Sequence, residues 1–133
     1  MKNIRKAYVD IGSGQIHYLH SKGQGIPLLL FHRTPASSVI YKRMMKRMVG
    51  SRPIYALDTP GFGESFNPDG MPDIKDYRDW FCEAIDNLGV SSFHIYGHHT
   101  GTHIATEIAA HWKTRVKSLM LNGVAYLSEK ARL

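Results

Sequence analysis

The chain has 133 residues, 43% of them hydrophobic, and a formal charge of +6; this is the size and makeup of one globular domain with its own core, which excludes a disordered chain. Cys82 is the single cysteine, which excludes an internal disulfide and suits a reducing compartment. The opening "MKNIRKAYVDIG" lacks an apolar signal-peptide core, and no apolar run nears the roughly 20 residues of a membrane span; a cytoplasmic protein without membrane contact is the expectation.

In chain order, "KAYVDIG" and "QIHYLHS" read as an antiparallel hairpin turning around Gly12 to Gly14. "IPLLLFH" is a continuous apolar run, as in a strand buried on both faces. "SSVIYKRMMKRMV" has Ile40, Met44 and Met48 at helical spacing, with Tyr41 and Met45 beside them, and Gly50 as a stop. Ser37 and Ser38 suit a cap for that helix. "RPIYALD" reads as a second buried strand, and the glycines and prolines of "TPGFGESFNPDGMP" mark a loop. From Asp73 onward, Ile74, Tyr77, Phe81, Ala84, Ile85 and Leu88 share one helical face, which Gly89 closes. "SSFHIYG" is a third buried strand. "TGTHIATEIAAHW" is a helix whose Gly101, Ala105, Ile108 and Ala109 allow close packing on a sheet, and "VKSLMLNGV" is a fourth buried strand.

The order β-β-β-α-β-α-β-α-β predicts an α/β fold: a mostly parallel sheet with helices on both faces, preceded by the antiparallel hairpin. In such sheets active groups gather at the carboxyl ends of the strands, where His32, Asp58, His99 and Asn122 fall. The basic cluster Lys42, Arg43, Lys46 and Arg47 has no nucleic-acid motif or stacking platform beside it, so it reads as a solvated helix face with no nucleic-acid partner. The glycines of "PGFG" lack a following Gly-Lys-Ser/Thr and read as turn residues, not a phosphate cradle.

The stretch "YGHHTG" has the frame of a nucleophile elbow, G-x-S-x-G, with His99 where the serine belongs. Taken with "LLLFHRTPASS", "YALDTPGFGES" and "RVKSLMLNGV", it makes the whole chain resemble the α/β-hydrolase family. In that family these segments are the oxyanion strand ending in His-Gly-x-Pro, the Asp-x-Pro-Gly-x-Gly-x-Ser turn, the elbow, and the strand that follows. Arg33 departs from the usual glycine after His32. "HRTPASS" and "GHHTG" together resemble a sub-group with histidine at the elbow. The resemblance implies a truncated α/β-hydrolase fold, a single partial domain over 1–133. "GVAYLSEKARL" resembles the start of a cap, and the late catalytic histidine is absent.

By the same resemblance the backbone N–H groups of Thr34 and Thr100 are the oxyanion donors, His32 supports the oxyanion loop, and Asn122 takes the acid position of some relatives. Asp58 fits a loop-shaping role better than a catalytic acid. His99 as a neutral imidazole could act as nucleophile or general base, or be vestigial. His98 is expected to point away from it. His99 and His103, four apart at a helix start, also suit a metal, but no carboxylate or cysteine completes the set, so no metal or organic cofactor is expected. His17, His20, His94 and His111 read as surface or strand residues. The resulting expectation is a hydrolase-like protein for small ester, amide or lactone substrates; the alternative is a non-catalytic binding or interaction module. The apolar strand 116–122 should be an open edge covered by a second copy or a partner.

Overall fold

The structure is a computed structural model that describes residues 3–124. The hairpin forms as β1 (Ile4–Ile11) and β2 (Gly14–Ser21), with Ile11 opposite Gly14 at its tip. The buried runs become β3 (Leu28–Phe31), β4 (Ile54–Leu57) and β5 (Phe93–His98), and the chain continues to β6 (Val116–Asn122). The helices are α1 (Lys42–Met48), α2 (Ile74–Asn87) and α3 (Thr100–His111). All six strands join one sheet in the order β1-β2-β4-β3-β5-β6. β1, β2 and β4 pair antiparallel; β4, β3, β5 and β6 run parallel.

Two apolar layers hold this sheet. On one face Phe81, Cys82, Ala84 and Ile85 of α2 and Ile104, Ala105 and Ile108 of α3 pack on Ile16, Leu29, Phe31, Leu57 and Ile95. Phe31 and Phe81 meet edge to face at 4.8 Å, the geometry their ring quadrupoles favour. On the other face Tyr41 and Met45 cover Leu19, Leu28, Leu30, Ile54 and Ala56. Helices therefore lie on both faces, as the alternation predicts. α2 begins where the spacing places it: Asp73 accepts from the N–H groups of Lys75 and Asp76, and the Asp76 side chain returns a bond to the Asp73 N–H.

Two expectations need correction. The first helix is split: Ser38–Tyr41 forms a 3-10 turn, capped by Ser37, before α1 begins. Its buried residues are Tyr41 and Met45 rather than the Ile40 stripe, because Asp58 holds the Ser38 N–H and fixes where the turn starts. β6 is not a buried strand. It ends the sheet among the described residues, and Leu119, Met120 and Leu121 remain 38–42% exposed on both of its faces. The expected start of a cap from Ala125 onward lies outside the described residues. No described helix is long and apolar enough to cross a membrane.

An apolar edge strand is a template for pairing. The 133-residue chain is expected to self-associate as concentration rises, and the double substitution Leu119→Lys with Leu121→Lys to suppress it. Light scattering checks this; equal scattering by both proteins would refute it.

Candidate active site

The site is built on a sharp turn between β5 and α3. His99 has φ 50° and ψ −115°, the one positive φ on a non-glycine residue among the described residues. Such backbone costs about 1–3 kcal/mol and persists only where its surroundings hold it. Here the His99 N–H donates to the Asn122 carbonyl (3.0 Å), and its carbonyl accepts from the N–H and hydroxyl of Thr102 (2.9 and 2.6 Å). Both glycines of "GHHTG" are sterically required. A Cβ at Gly97 would lie 2.9 Å from Thr102 Cα and overlap the Gly101 carbonyl, and one at Gly101 would lie 2.8 Å from the Phe31 carbonyl carbon and overlap its oxygen. The turn between β5 and α3 thus holds His99 at positive φ between two glycines that its backbone requires.

The His99 side chain is exposed and lies over Gly123, whose modest size leaves it room: a Cβ there would sit 3.2–3.3 Å from the ring atoms. His98 does not point away as expected. Its ring meets His99 edge to face at 4.6 Å. Burial, then the proximity of His99 and Arg33, lowers the His98 pKa and favours its neutral form. The Asn122 amide, at the end of β6, donates to the Tyr96 hydroxyl at 2.9 Å and is directed there.

The two oxyanion candidates meet across the turn. The Thr34 N–H donates to the Thr100 hydroxyl oxygen at 2.8 Å, so one donor is occupied by the side chain of the residue whose backbone carries the other. The Thr100 N–H lies in the first turn of α3, where backbone donors have no acceptor within the helix. His32 is fully buried beneath this loop. Its Nε2 accepts the Thr59 N–H (2.9 Å), and its Nδ1 lies 2.7 Å from the Arg33 carbonyl. A backbone N–H can only donate and a carbonyl can only accept, so the proton sits on Nδ1 and the ring is neutral. Burial lowers its pKa in the same sense, ahead of the opposing contributions of the Arg33 carbonyl and Asp58.

Asp58, at the end of β4, is also buried. Its oxygens accept from Ser38 N–H (2.7 Å), Glu64 N–H (2.9 Å) and His17 Nδ1–H (2.8 Å). Burial alone would raise its pKa, but these donors outweigh burial and hold it below the usual carboxylate range. With both oxygens engaged, by the loops and by β2, its geometry is that of a loop organiser. Sequence reasoning missed His17 as its partner. The only signal was His17's place between Ile16 and Tyr18 in β2, and pairing across 41 positions is not readable from spacing.

Beside the elbow opens a cleft of about 430 Å³, lined by Thr34, Thr59, Phe62, Ile74, Tyr77, Thr100, His103 and Ile104. Most of this lining is apolar, with polar groups from Thr34, Thr100 and His103 near the turn. His103 is one helical turn from Thr100 and exposed. Among the described residues no three histidine, cysteine or acidic groups come together as a metal site.

The sequence pattern of the alpha/beta hydrolase fold matches residues 26–132. The chain belongs to that family. Among curated members it is 28% identical over 117 residues to the (E)-2-((N-methylformamido)methylene)succinate hydrolase of Acinetobacter baylyi, covering 87% of this chain and 44% of that enzyme. It is 30% identical over 115 residues to haloalkane dehalogenase 2 of Mycobacterium tuberculosis, covering 86% and 40%. Among solved structures it superposes on a bacterial membrane phospholipase A with a TM-score of 0.88 and 28% identity, covering 95% of this chain and 41% of that one. The N-acyl homoserine lactonase AidH bound to N-butanoyl homoserine gives 0.85 and 27%, covering 96% and 47%. The chain spans less than half the length of each of these relatives.

Two outcomes test this hydrolase-fold site. Gly101→Ala should destabilise the chain by about 1–3 kcal/mol, because backbone rather than a flexible side chain must yield; denaturant melts read this, and a neutral effect would overturn the steric account. His32 has a lowered pKa in the folded chain, so the unfolded chain binds the extra proton first. Its stabilising effect should be complete above about pH 6.5 and lost as pH falls below that, with a slope no greater than about 1.4 kcal/mol per pH unit for one proton. His32→Gln should flatten that part of the stability profile, and an unchanged slope would exclude His32 as its source.

Proposed function

We propose that this chain forms the cleft side of a hydrolase-type site for small, largely apolar ester, amide or lactone substrates, and that the 133 residues alone bind such molecules far better than they convert them. The observation that carries the reading is the preserved strained turn at His99 beside an apolar cleft of about 430 Å³. A strained backbone kept by two sterically required glycines favours a site that still receives a ligand. The family relatives include an N-acyl homoserine lactonase and an (E)-2-((N-methylformamido)methylene)succinate hydrolase by name, which supports acyl chemistry as the substrate class.

Weak turnover follows from the surroundings of His99. An imidazole that serves as base or nucleophile works best when a partner fixes its tautomer. Among the described residues its ring neighbours are His98 and the backbone of Gly123, while Asp58 is committed to Ser38, Glu64 and His17. The Thr34 N–H must also leave the Thr100 hydroxyl before it can hold a developing oxyanion. The same bond favours a second reading, a module that binds without reacting.

Two measurements decide between them. Trp80 packs on the cleft residue Tyr77 at 5.6 Å, so intrinsic fluorescence should respond to a short-chain acyl lactone. Hydrolysis of p-nitrophenyl acetate by wild type, His99→Ala and His99→Ser should agree within about tenfold, or about 1.4 kcal/mol of barrier. A wild-type rate about a hundredfold above His99→Ala would make His99 the reacting group. A lactone that never perturbs the fluorescence would sink the binding half of the proposal.

A further inference from the structure

A second concavity lies at the opposite end of the sheet from the elbow, where β2 ends and the chain enters β4. It encloses about 330 Å³ and is lined by Asn3, Arg5, His20, Lys22, Val49 and Gly50. Arg5 and His20 are direct cross-strand partners, and His20 is in turn opposite Tyr55 on β4. The three side chains therefore stand in one row across three strands, on one face of the sheet. The His20 ring, which lines the cavity, lies nearly parallel to Tyr55, at 16° and 6.2 Å between centroids. Lys22, the first residue after β2, also lines the cavity.

The charges around this cavity are of one sign. Arg5 and Lys22 supply two, and His20 a third when protonated. Among the described residues no carboxylate lines it. The remaining titratable groups beside His20 are the phenols of Tyr18 and Tyr55. At the carboxyl end of α1 the Met48 carbonyl accepts both the N–H (3.0 Å) and the hydroxyl (2.6 Å) of Ser51. Burial, followed by the nearby Arg5 and Lys22, lowers the His20 pKa, the response of a cation surrounded by cations with no counter-charge.

We infer that this cavity binds a phosphate group. A tetrahedral dianion supplies the missing counter-charge, accepts from the Arg5 fork and the Lys22 ammonium, and leaves His20 free to donate from its ring edge. The rest of the cavity has room for the molecule that carries the phosphate. The site is separate from the elbow cleft, with which it shares no lining residue. It also differs from the basic face of α1, whose Lys46 and Arg47 do not line it.

The test uses the whole chain and inorganic phosphate as probe. Histidine ring signals are followed by NMR at neutral pH while phosphate is added, with sodium chloride at matched ionic strength as the reference. The His20 ring should shift saturably with phosphate and not with chloride. Sulfate, whose charge stays constant through this range, should raise the pH midpoint of His20. Arg5 and Lys22 are exposed, so Arg5→Gln with Lys22→Gln leaves the core intact; it should weaken binding by about tenfold or more. Lys46→Gln with Arg47→Gln should bind as wild type. Co-sedimentation with phosphatidylcholine vesicles containing phosphatidic acid distinguishes a lipid headgroup from a free phosphate as the source. Vesicle binding lost in the Arg5 and Lys22 variant supports a lipid headgroup. A response to phosphate no larger than to chloride, without vesicle binding, overturns the inference. So does equal loss in the Lys46 and Arg47 variant, which would reduce the effect to diffuse surface charge.

Discussion

The contact on which the rest depends is the approach of the α3 backbone to the end of β3. Gly101 lies so close to the Phe31 carbonyl that no side chain fits between them. That carbonyl also accepts the buried Tyr41 hydroxyl at 2.8 Å, which ties the helical layer on the far face to the same atom. One carbonyl at the end of an interior strand therefore sets the height of α3 on one side and the position of the 3-10 turn on the other. The elbow is a consequence: with α3 fixed this close, β5 reaches it only through a reversal that forces His99 to positive φ.

Side chains join the loops at the carboxyl end of the sheet, beside the backbone bond from His99 to Asn122. His32 spans the loops after β3 and β4 by donating to Arg33 and accepting from Thr59. Asp58 gathers Ser38, Glu64 and His17. Thr34 and Thr100 close the remaining gap. The cleft thus rests on a frame of buried, directional bonds, while its lining is mostly apolar. This division suits a pocket whose polar groups orient a ligand and whose walls accept it by burial.

Much of this was legible in the sequence. Hydrophobic runs marked β3, β4 and β5, the 3.6-residue spacing marked α2 and α3, and turn residues marked the hairpin, because those signals are local. The family and the placement of His32, Asp58, His99 and Asn122 at strand ends followed from motif order. What escaped depended on distant partners. The His17–Asp58 pair spans 41 positions. The contact of His98 with His99 depends on a turn geometry that strand alternation does not describe. The exposure of β6 contradicted its apolar composition because composition reports what a strand can bury, not what lies beside it.

The His17–Asp58 bond also bears on how the molecule opens. It fastens the antiparallel hairpin to the parallel part of the sheet through a carboxylate that is 1% exposed. Were β1 and β2 to peel away, that carboxylate would lose its ring partner while still held by Ser38 and Glu64, an unfavourable state for a buried charge. Partial opening of the hairpin is thereby discouraged, and the two halves of the sheet are coupled into one cooperative unit. The hairpin is thereby tied to the parallel strands by a buried side-chain bond as well as by its ladder to β4, rather than appended to them.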